Sequence, residues 1–185
     1  MTPGLREFII EPARPADVPL ILSLIQELAE YEQLSHEVTA TDERLHDALF
    51  GSTPVAHAVI AREGSEPAGF ALYFFNFSTF LAKPGLYLED LFVRPAWRKR
   101  GLGRLLLAHL ARIAVDRGCG RMEWSVLNWN ETALRVYRSI GAAPLSEWTV
   151  QRLVDQPLLD LAASASPTRA GAPATTSVVR PRSAS

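Results

Sequence analysis

The feature that most constrains the fold of this chain is a buried strand that runs into a basic, glycine-containing turn and then into an amphipathic helix. The strand is predicted over residues 86–93 and the helix over 103–117, and the turn at 98–103 reads RKRGLG. Such a turn presents backbone N–H groups at the positive end of a helix dipole, where they can hold a pyrophosphate. The segment therefore predicts an α/β protein that binds a phosphate-bearing cofactor.

Other phosphate-binding motifs fit this turn less well. A P-loop needs Gly-Lys-Ser/Thr to reach the terminal phosphates and magnesium, and no such triplet follows Gly103. A dinucleotide fingerprint needs a third glycine three residues after the second, where this chain has Leu106. What remains is Arg-x-x-Gly-x-Gly, which by itself is also typical of a solvated turn that caps a helix.

The strand, turn and helix resemble the acetyl-CoA-binding motif of the GNAT acetyltransferase superfamily. Four further segments are similar to the diamine (spermidine/spermine) and thialysine N-acetyltransferase branch: residues 27–32 (ELAEYE), 73–75 (YFF), 87–90 (YLED) and 129–131 (WNE), the last followed by Tyr137. The resemblance covers residues 8–154. It implies an enzyme that transfers the acetyl group of acetyl-CoA to a primary amine of a small molecule.

Hydrophobic periodicity and turn residues predict the order of the elements. Strands are expected at 8–11, 55–61, 68–77, 86–93, 122–127 and 148–153, and helices at 15–33, 41–50, 103–117 and 131–140. This order predicts an α/β (mixed α+β) fold with helices on both faces of a mixed sheet. The GNAT resemblance implies the same fold, with a mostly antiparallel central sheet and a splayed pair of strands that holds coenzyme A.

We expect three regions along the chain: an N-terminal extension over 1–7, an acetyltransferase domain over 8–158 and a disordered tail over 159–185. The tail is rich in Ala, Ser, Thr and Pro, so it cannot bury enough apolar area to offset its ordering entropy. The formal net charge of −1 gives no electrostatic reason to expect nucleic-acid or membrane binding. A single cysteine, Cys119, and the absence of a long apolar run favour a cytoplasmic location.

The resemblance assigns the coenzyme-binding residues by position. The strand backbone is expected to hold the pantetheine arm, as an added strand would be held. The turn is expected to hold the pyrophosphate, with the side chains of Arg98 and Arg100 nearby. Asn130 starts a helix on the same cleft, although a plain N-cap role would also explain it. The predicted coenzyme-binding residues are Leu91, Phe92, Val93, Arg98, Lys99, Arg100, Gly101, Leu102, Gly103, Arg104, Asn130 and Ala133.

Amine acetylation needs a proton acceptor, because an alkyl amine with a pKa near 10.4 is neutral in only about one molecule in a thousand at physiological pH. Glu89 is the candidate base or amine-binding anion. Strand alternation places it on one face with Tyr87, Leu91 and Val93, so we expect it to be partly desolvated. The alternative is a structural ion-pair partner. Asp90 then points to the opposite face and is expected to be structural.

Tyr137 is the candidate general acid, because the matching tyrosine of the family protonates the departing CoA thiolate. A buried aromatic residue on an amphipathic helix is more often part of the core. For the amine, the resemblance assigns Tyr31 and Glu32 together with Glu89. Three further acids, at positions 27, 30 and 37, add negative charge suited to a cationic substrate.

The identity of the amine stays open between a diamine, a polyamine and an amino-acid side chain, because residues 123–125 and 144–148 depart from the family pattern. A protein lysine or N-terminal acetyltransferase is one alternative, although Tyr73, Phe75, Phe77 and Phe80 are bulky enough to narrow a peptide groove. A catalytically silent acyl-CoA-binding module is another. The resemblance implies a homodimer. The four histidines lack ligand spacing, so we expect no metal.

Overall fold

The computed structural model describes residues 8–165, which divide into two compact units, 8–142 and 143–165. The elements of the first unit are β1 (Phe8–Pro12), α1 (Val18–Glu32), α2 (Asp42–Phe50), β2 (His57–Glu63), β3 (Glu66–Ser78), β4 (Lys83–Val93), α3 (Leu102–Asp116), β5 (Met122–Trp124) and α4 (Glu131–Ser139). The second unit contains α5 (Asp155–Ala163).

The five strands form one sheet in the order β1-β2-β3-β4-β5. Strands β1 to β4 are antiparallel to their neighbours, and β5 is parallel to β4. The predicted mixed, mostly antiparallel sheet is therefore confirmed. Parallel neighbours need a long crossover, and α3 supplies it between β4 and β5.

Pairing between β4 and β5 is short. It runs from Leu86 opposite Met122 to Leu88 opposite Trp124 and then stops, although β4 continues to Val93. The two chain segments separate beyond these residues, as the predicted splayed pair requires. A wedge-shaped gap opens where the second half of β4 has no partner on the β5 side among the described residues.

Helices cover both faces of the sheet, as predicted. On one face, α3 buries a stripe that includes Leu102, Leu106 and Leu110 against the strands. On the other face, α1 and α2 bury Ile21, Leu24 and Leu49, together with further apolar side chains, against the sheet. These stripes follow the three-to-four-residue spacing that the sequence shows, so each helix is held by its amphipathic face.

Strand β4 contains a β-bulge at Glu89. Leu72 of β3 lies opposite Asp90 and Tyr73 lies opposite Leu88, so Glu89 is an extra residue without a partner on β3. A bulge of this kind inserts one residue into one strand, bends it and reverses which residues face each side.

The reversal is visible in the packing. Leu86 and Leu88 face α3 before the bulge, and Leu91 and Val93 face α3 after it, whereas Phe92 packs on the α1 side. The prediction that Glu89 shares one face with Tyr87, Leu91 and Val93 is therefore wrong, because strict alternation does not continue across an inserted residue.

Two expectations for the C-terminal part differ from the structure. Residues 148–153 were expected to form a strand, but 143–154 contain neither helix nor strand. Alternating apolar residues are not sufficient for a strand, because the backbone also needs a partner to pair with. The expected tail over 159–185 begins inside α5, whose Pro157 is tolerated because the first helical turn has no N–H partners. Residues 166–185 lie outside the described residues.

The α3 stripe gives a test of this packing with a neighbouring control. Leu106 is fully buried and Leu105, next to it, is 46% exposed. Leu106→Ala should lower the free energy of unfolding by about 2–5 kcal/mol, because it leaves a cavity between α3 and the sheet. Leu105→Ala should change it by less than about 1 kcal/mol. Urea unfolding of both variants measures this; equal losses would contradict the assignment of the buried face.

Candidate active site

A cleft of about 880 Å³ opens between β4, the end of α1, the start of α3 and α4. Every predicted site residue lines it except Arg100. The structure thus brings together residues from five separate parts of the sequence, among them Glu32, Glu89 and Tyr137. It places the candidate catalytic residues and the candidate coenzyme-binding turn on one continuous surface.

The turn before α3 has the backbone shape that anion binding requires. Gly101 is the N-cap of α3 with φ +84°, and Lys99 also has a positive φ, +61°. The first N–H groups of a helix have no intrahelical partner, and Gly101 has no side chain to cap them. Leu102, Gly103 and Arg104 all line the cleft, so their N–H groups remain for a ligand.

The space beside Gly103 fits a ligand that lies between the turn and the strand. A Cβ built on Gly103 would lie 4.0 Å from Leu91 Cδ2 and 4.0 Å from Val93 Cγ2. No side chain occupies that position, and the backbone of the turn is therefore accessible from the strand. A pyrophosphate linked to an extended, amide-containing arm matches this arrangement of N–H groups and strand edge.

The side chain of Arg100 does not reach the cleft, in contrast to the prediction. Its Nη1 donates to Glu63 Oε2 at 3.1 Å, and its guanidinium lies 4.9 Å from the centre of the Phe8 ring. The carboxylate of Glu63 on β2 holds this arginine on the β1 side of the turn. Trp97 Nε1 donates to the same carboxylate at 3.1 Å, which anchors the turn to the sheet.

Three carboxylates, those of Glu32, Glu89 and Asp90, line the cleft. The pKa of Asp90 is raised to about 6, mainly by burial and further by the negative charges of Glu89 and Glu32. Burial also raises the pKa of Glu32. An acid pair and a neighbouring acid that repel one another in a partly apolar cleft form a site that favours a bound cation.

Asp90 is the functional candidate that sequence reasoning missed. Glu89 was expected to be the desolvated acid, but it is exposed on the bulge, whereas Asp90 is half-buried and its pKa is raised by desolvation. The signal in the sequence was two adjacent acids in an apolar strand. The choice between them depended on alternation, which the bulge reverses.

Tyr137 lines the cleft from α4, with its ring centre 5.0 Å from that of Trp124. Burial raises the pKa of its phenol, and the charge of Glu32 raises it further. The hydroxyl therefore keeps its proton at neutral pH. This arrangement meets the requirement of a general acid, which must hold a proton until a more basic atom forms beside it.

Several further residues of the cleft were not among the predicted ones, including Ser125, Val126, Leu127 and Arg135. Residues 125–127 follow β5 on the far side of the gap, and the Ser125 hydroxyl lies 2.9 Å from that of Tyr87. Sequence reasoning placed them in a strand, and only Ser125 had a separate signal, as part of the segment 123–125 that departs from the family pattern. Asn130 Oδ1 accepts from Ala133 N at 3.2 Å, so the N-cap role is present in addition to its position on the cleft.

Several residues expected near the substrate lie elsewhere. Glu27 binds Arg94 instead, with Nε 2.9 Å from Oε2. None of the four bulky aromatic residues expected to narrow the cleft lines it: Tyr73 and Phe75 pack on the α3 side, and Phe77 and Phe80 are exposed. Cleft width is therefore set by other residues, among them Tyr31 and Trp97.

Comparison with known proteins identifies the architecture. Residues 21–142 match the acetyltransferase (GNAT) family. The chain belongs to the GNAT family. As a GNAT acetyltransferase it is an acyltransferase enzyme, and members of this family use acetyl-CoA.

Similar proteins extend this assignment over most of the chain. The thialysine N-epsilon-acetyltransferase of Bos taurus is 36% identical over 165 residues, which cover 83% of this chain and 96% of that protein. The L-ornithine N5-acetyltransferase of Arabidopsis thaliana is 33% identical over 194 residues, covering 80% and 85%. An integron cassette protein from the mobile metagenome of V. cholerae superposes with a TM-score of 0.72 at 28% identity, covering 87% of this chain and all of that one.

Between residues 8 and 165, no helix has the length and apolar character needed to cross a bilayer. The same part of this GNAT chain contains no cluster of three or more side chains able to hold a metal ion.

Paired glycine variants test the turn. Gly101→Ala should lower the free energy of unfolding by about 1–2 kcal/mol, because alanine resists the left-handed conformation. Gly103→Ala should leave stability unchanged or raise it, because alanine favours the helix. It should nevertheless weaken coenzyme A binding about tenfold or more, because its Cβ occupies the space beside the strand. Thermal melts and calorimetry with coenzyme A separate the two effects; unchanged binding by Gly103→Ala would contradict this position for the coenzyme.

The raised pKa of Asp90 predicts a pH dependence of stability. In the folded state this acid titrates at about 6, above its ordinary value of 3.8. The protonated carboxyl of Asp90 is favoured in the folded state, so its contribution to the free energy of unfolding is fully present below pH 3.8. That contribution is lost as the pH rises through 6. As the pH rises from 4 to 7, the wild type should therefore lose about 2–3 kcal/mol of unfolding free energy relative to Asp90→Asn, which has no carboxyl group to ionise at this position.

Asp116→Asn on the exposed surface of α3 is the matched control for that series. Denaturant unfolding at several pH values measures both variants. A wild type and an Asp90→Asn variant that keep a constant difference from pH 4 to pH 7 would show that Asp90 is not desolvated.

Proposed function

We propose that this enzyme transfers the acetyl group of acetyl-CoA to a primary amine of a small cationic molecule, a diamine, a polyamine or a lysine-like amine, by direct transfer in a ternary complex. The observation that carries the proposal is one cleft lined by the glycine-containing turn at the N-terminus of α3, by three carboxylates and by a tyrosine whose pKa is raised. Relatives that act on thialysine and on L-ornithine support the substrate class.

For the coenzyme, the proposal assigns binding to backbone groups. The N–H groups of Leu102, Gly103 and Arg104 bind the pyrophosphate, and Lys99 adds positive charge beside them. The unpaired second half of β4, around Leu91 and Val93, binds the amide-containing arm. When bound, acetyl-CoA supplies the acetyl group as an activated thioester.

For the amine, the proposal assigns a separate role to each part of the acidic group. Glu32 and Glu89, with Tyr31, attract and orient the ammonium group. Asp90 takes up the proton that the ammonium must lose, directly or through water, because a carboxyl group with a pKa of about 6 is a stronger base than an ordinary aspartate. Each added positive charge on the substrate also offsets the repulsion within the acidic group.

For the leaving group, the proposal assigns the proton to Tyr137. Its phenol holds a proton at neutral pH and donates it to the thiolate that forms beside it as the C–S bond of the thioester breaks. The phenol regains a proton from solvent after product release. The Tyr137 ring packs against Trp124, with the two ring centres 5.0 Å apart.

Two broader expectations stay predictions. A homodimer follows from the family alone, and a cytoplasmic location follows from the single cysteine, Cys119.

Tyr137→Phe, tested with a panel of amines, checks the proposal. Purified protein is incubated with acetyl-CoA and spermidine, thialysine, L-ornithine, an aminoglycoside or a lysine peptide, and thiol release is measured. We expect turnover with the small cationic amines above that with the peptide. Tyr137→Phe should lower kcat about 100-fold or more, as loss of a general acid does, with an unchanged Kd for coenzyme A.

Each alternative predicts another result. Preferred turnover of the peptide would assign the enzyme to protein acetylation. Coenzyme A binding without any thiol release would indicate an acyl-CoA-binding module. Equal turnover by Tyr137→Phe and the wild type would remove Tyr137 from the mechanism.

A further inference from the structure

The side chain of Arg98 lies between two aromatic rings. Its guanidinium carbon is 4.5 Å from the centre of the Tyr31 ring and 5.5 Å from that of Phe92. Its Nε donates to the backbone oxygen of Val93 at 2.9 Å. Arg98 belongs to the coenzyme-binding turn, Tyr31 to the end of α1, and Phe92 and Val93 to β4, so one side chain joins three elements of the cleft.

Tyr31 continues this series of contacts across the cleft. Its ring centre lies 5.8 Å from that of Trp129, with the two planes tilted by 56°. Trp129 directly precedes Asn130, the N-cap of α4. The series Phe92, Arg98, Tyr31 and Trp129 therefore connects β4 to the start of α4, the helix that carries Tyr137, by way of the end of α1.

We propose that Arg98 is a positioning residue that couples the coenzyme-binding turn to the amine-binding end of the cleft. It holds the Tyr31 ring, and with it the adjacent Glu32, against the turn, and Tyr31 in turn contacts Trp129. This inference rests on the proposed function. It differs from the role predicted for Arg98, a phosphate ligand, because the guanidinium is engaged by Tyr31, Phe92 and a backbone oxygen.

The chemistry favours arginine for this role. A planar guanidinium stacks on an aromatic face while one of its N–H groups donates in the plane, whereas a lysine ammonium is a compact point charge. Arg98→Lys keeps the positive charge of the turn and removes the planar group. The substitution therefore separates an electrostatic role toward phosphate from a stacking role toward Tyr31.

The coupling predicts that changes at Arg98 affect amine binding and leave the binding of coenzyme A to protein without amine nearly unchanged. Coenzyme A bound to the turn would stabilise the backbone that carries Arg98, and Arg98 contacts Tyr31, so coenzyme A should increase the affinity for the amine. By thermodynamic linkage, the amine should increase the affinity for coenzyme A by the same factor. Without the planar guanidinium this mutual effect should disappear.

The test measures Arg98→Lys with spermidine and thialysine, the two amine probes. We expect the KM for the amine to rise about tenfold, the size of a partly buried cation–aromatic contact, with kcat lowered less than about threefold. Calorimetry should give a Kd for coenzyme A within about threefold of the wild type. Spermidine or thialysine titrated into wild-type protein loaded with coenzyme A should bind more tightly than to free protein, and Arg98→Lys should abolish that difference.

A double-mutant cycle tests the contact itself. Tyr31→Leu removes the ring that Arg98 contacts, and the double variant should have an amine kcat/KM no lower than Tyr31→Leu alone, because the interaction is already lost. Tyr31→Phe retains the ring and should retain the sensitivity to Arg98→Lys. Arg112→Lys, an exposed arginine on α3, is the control for the substitution and for folding, which thermal melts monitor.

The outcomes are distinguishable. A raised Kd for coenzyme A with an unchanged amine KM would make Arg98 a phosphate ligand and overturn the inference, and so would additive effects in the cycle. A wild type that acetylates neither spermidine nor thialysine nor any other amine of the panel would overturn the proposed function instead.

Discussion

The site depends on the early end of pairing between β4 and β5. Backbone N–H and C=O groups that are buried without partners are strongly unfavourable, so the second half of β4 must face either a ligand or water. The strands separate after Leu88 and Trp124, which gives that half of the strand its exposure to the cleft. Because α3 is the crossover between these two strands, its N-terminus lies at the same gap. One interruption of the sheet thus brings together a strand edge and a helix N-terminus.

The bulge at Glu89 sets the electrostatics of this gap. Without the extra residue, Asp90 would continue the alternation of Leu86 and Leu88 and would lie on the α3 side of the sheet. With it, Asp90 lies on the α1 side, where burial and two neighbouring acids raise its pKa to about 6. The raised pKa measures how unfavourable the charged carboxylate is in the unliganded cleft. In the proposed function, a bound ammonium removes part of that unfavourable free energy, so the burial and the repulsion that lower stability at neutral pH contribute to affinity for a cation.

Local sequence patterns predicted most of the helices and strands and the glycine-containing turn. Contacts between distant parts of the chain determined the strand register and the roles of individual side chains, which the sequence did not predict. The stripe of Leu106 and Leu110 predicted α3, because helix periodicity can be recognised from residues that are three or four positions apart in the sequence. The bulge could not be predicted, since it is a matter of register between β3 and β4. The strand predicted at 148–153 failed for a related reason, because apolar alternation does not supply a partner. The roles of Arg98 and Arg100 depended on Tyr31 and Glu63, which lie more than 35 positions away in the sequence.

The basic cluster of the turn shows why charge counting overstates phosphate binding. Arg94 is bound by Glu27 and Arg100 by Glu63, and Arg98 is packed between aromatic rings. Much of the positive charge in this stretch therefore neutralises the protein's own acids and anchors the turn to α1 and to the sheet. What remains for a pyrophosphate is mainly the backbone: positive φ angles at Lys99 and Gly101 and the first N–H groups of α3. In the proposed function, anion affinity in this turn is therefore a property of its shape, and the arginines contribute chiefly by maintaining that shape.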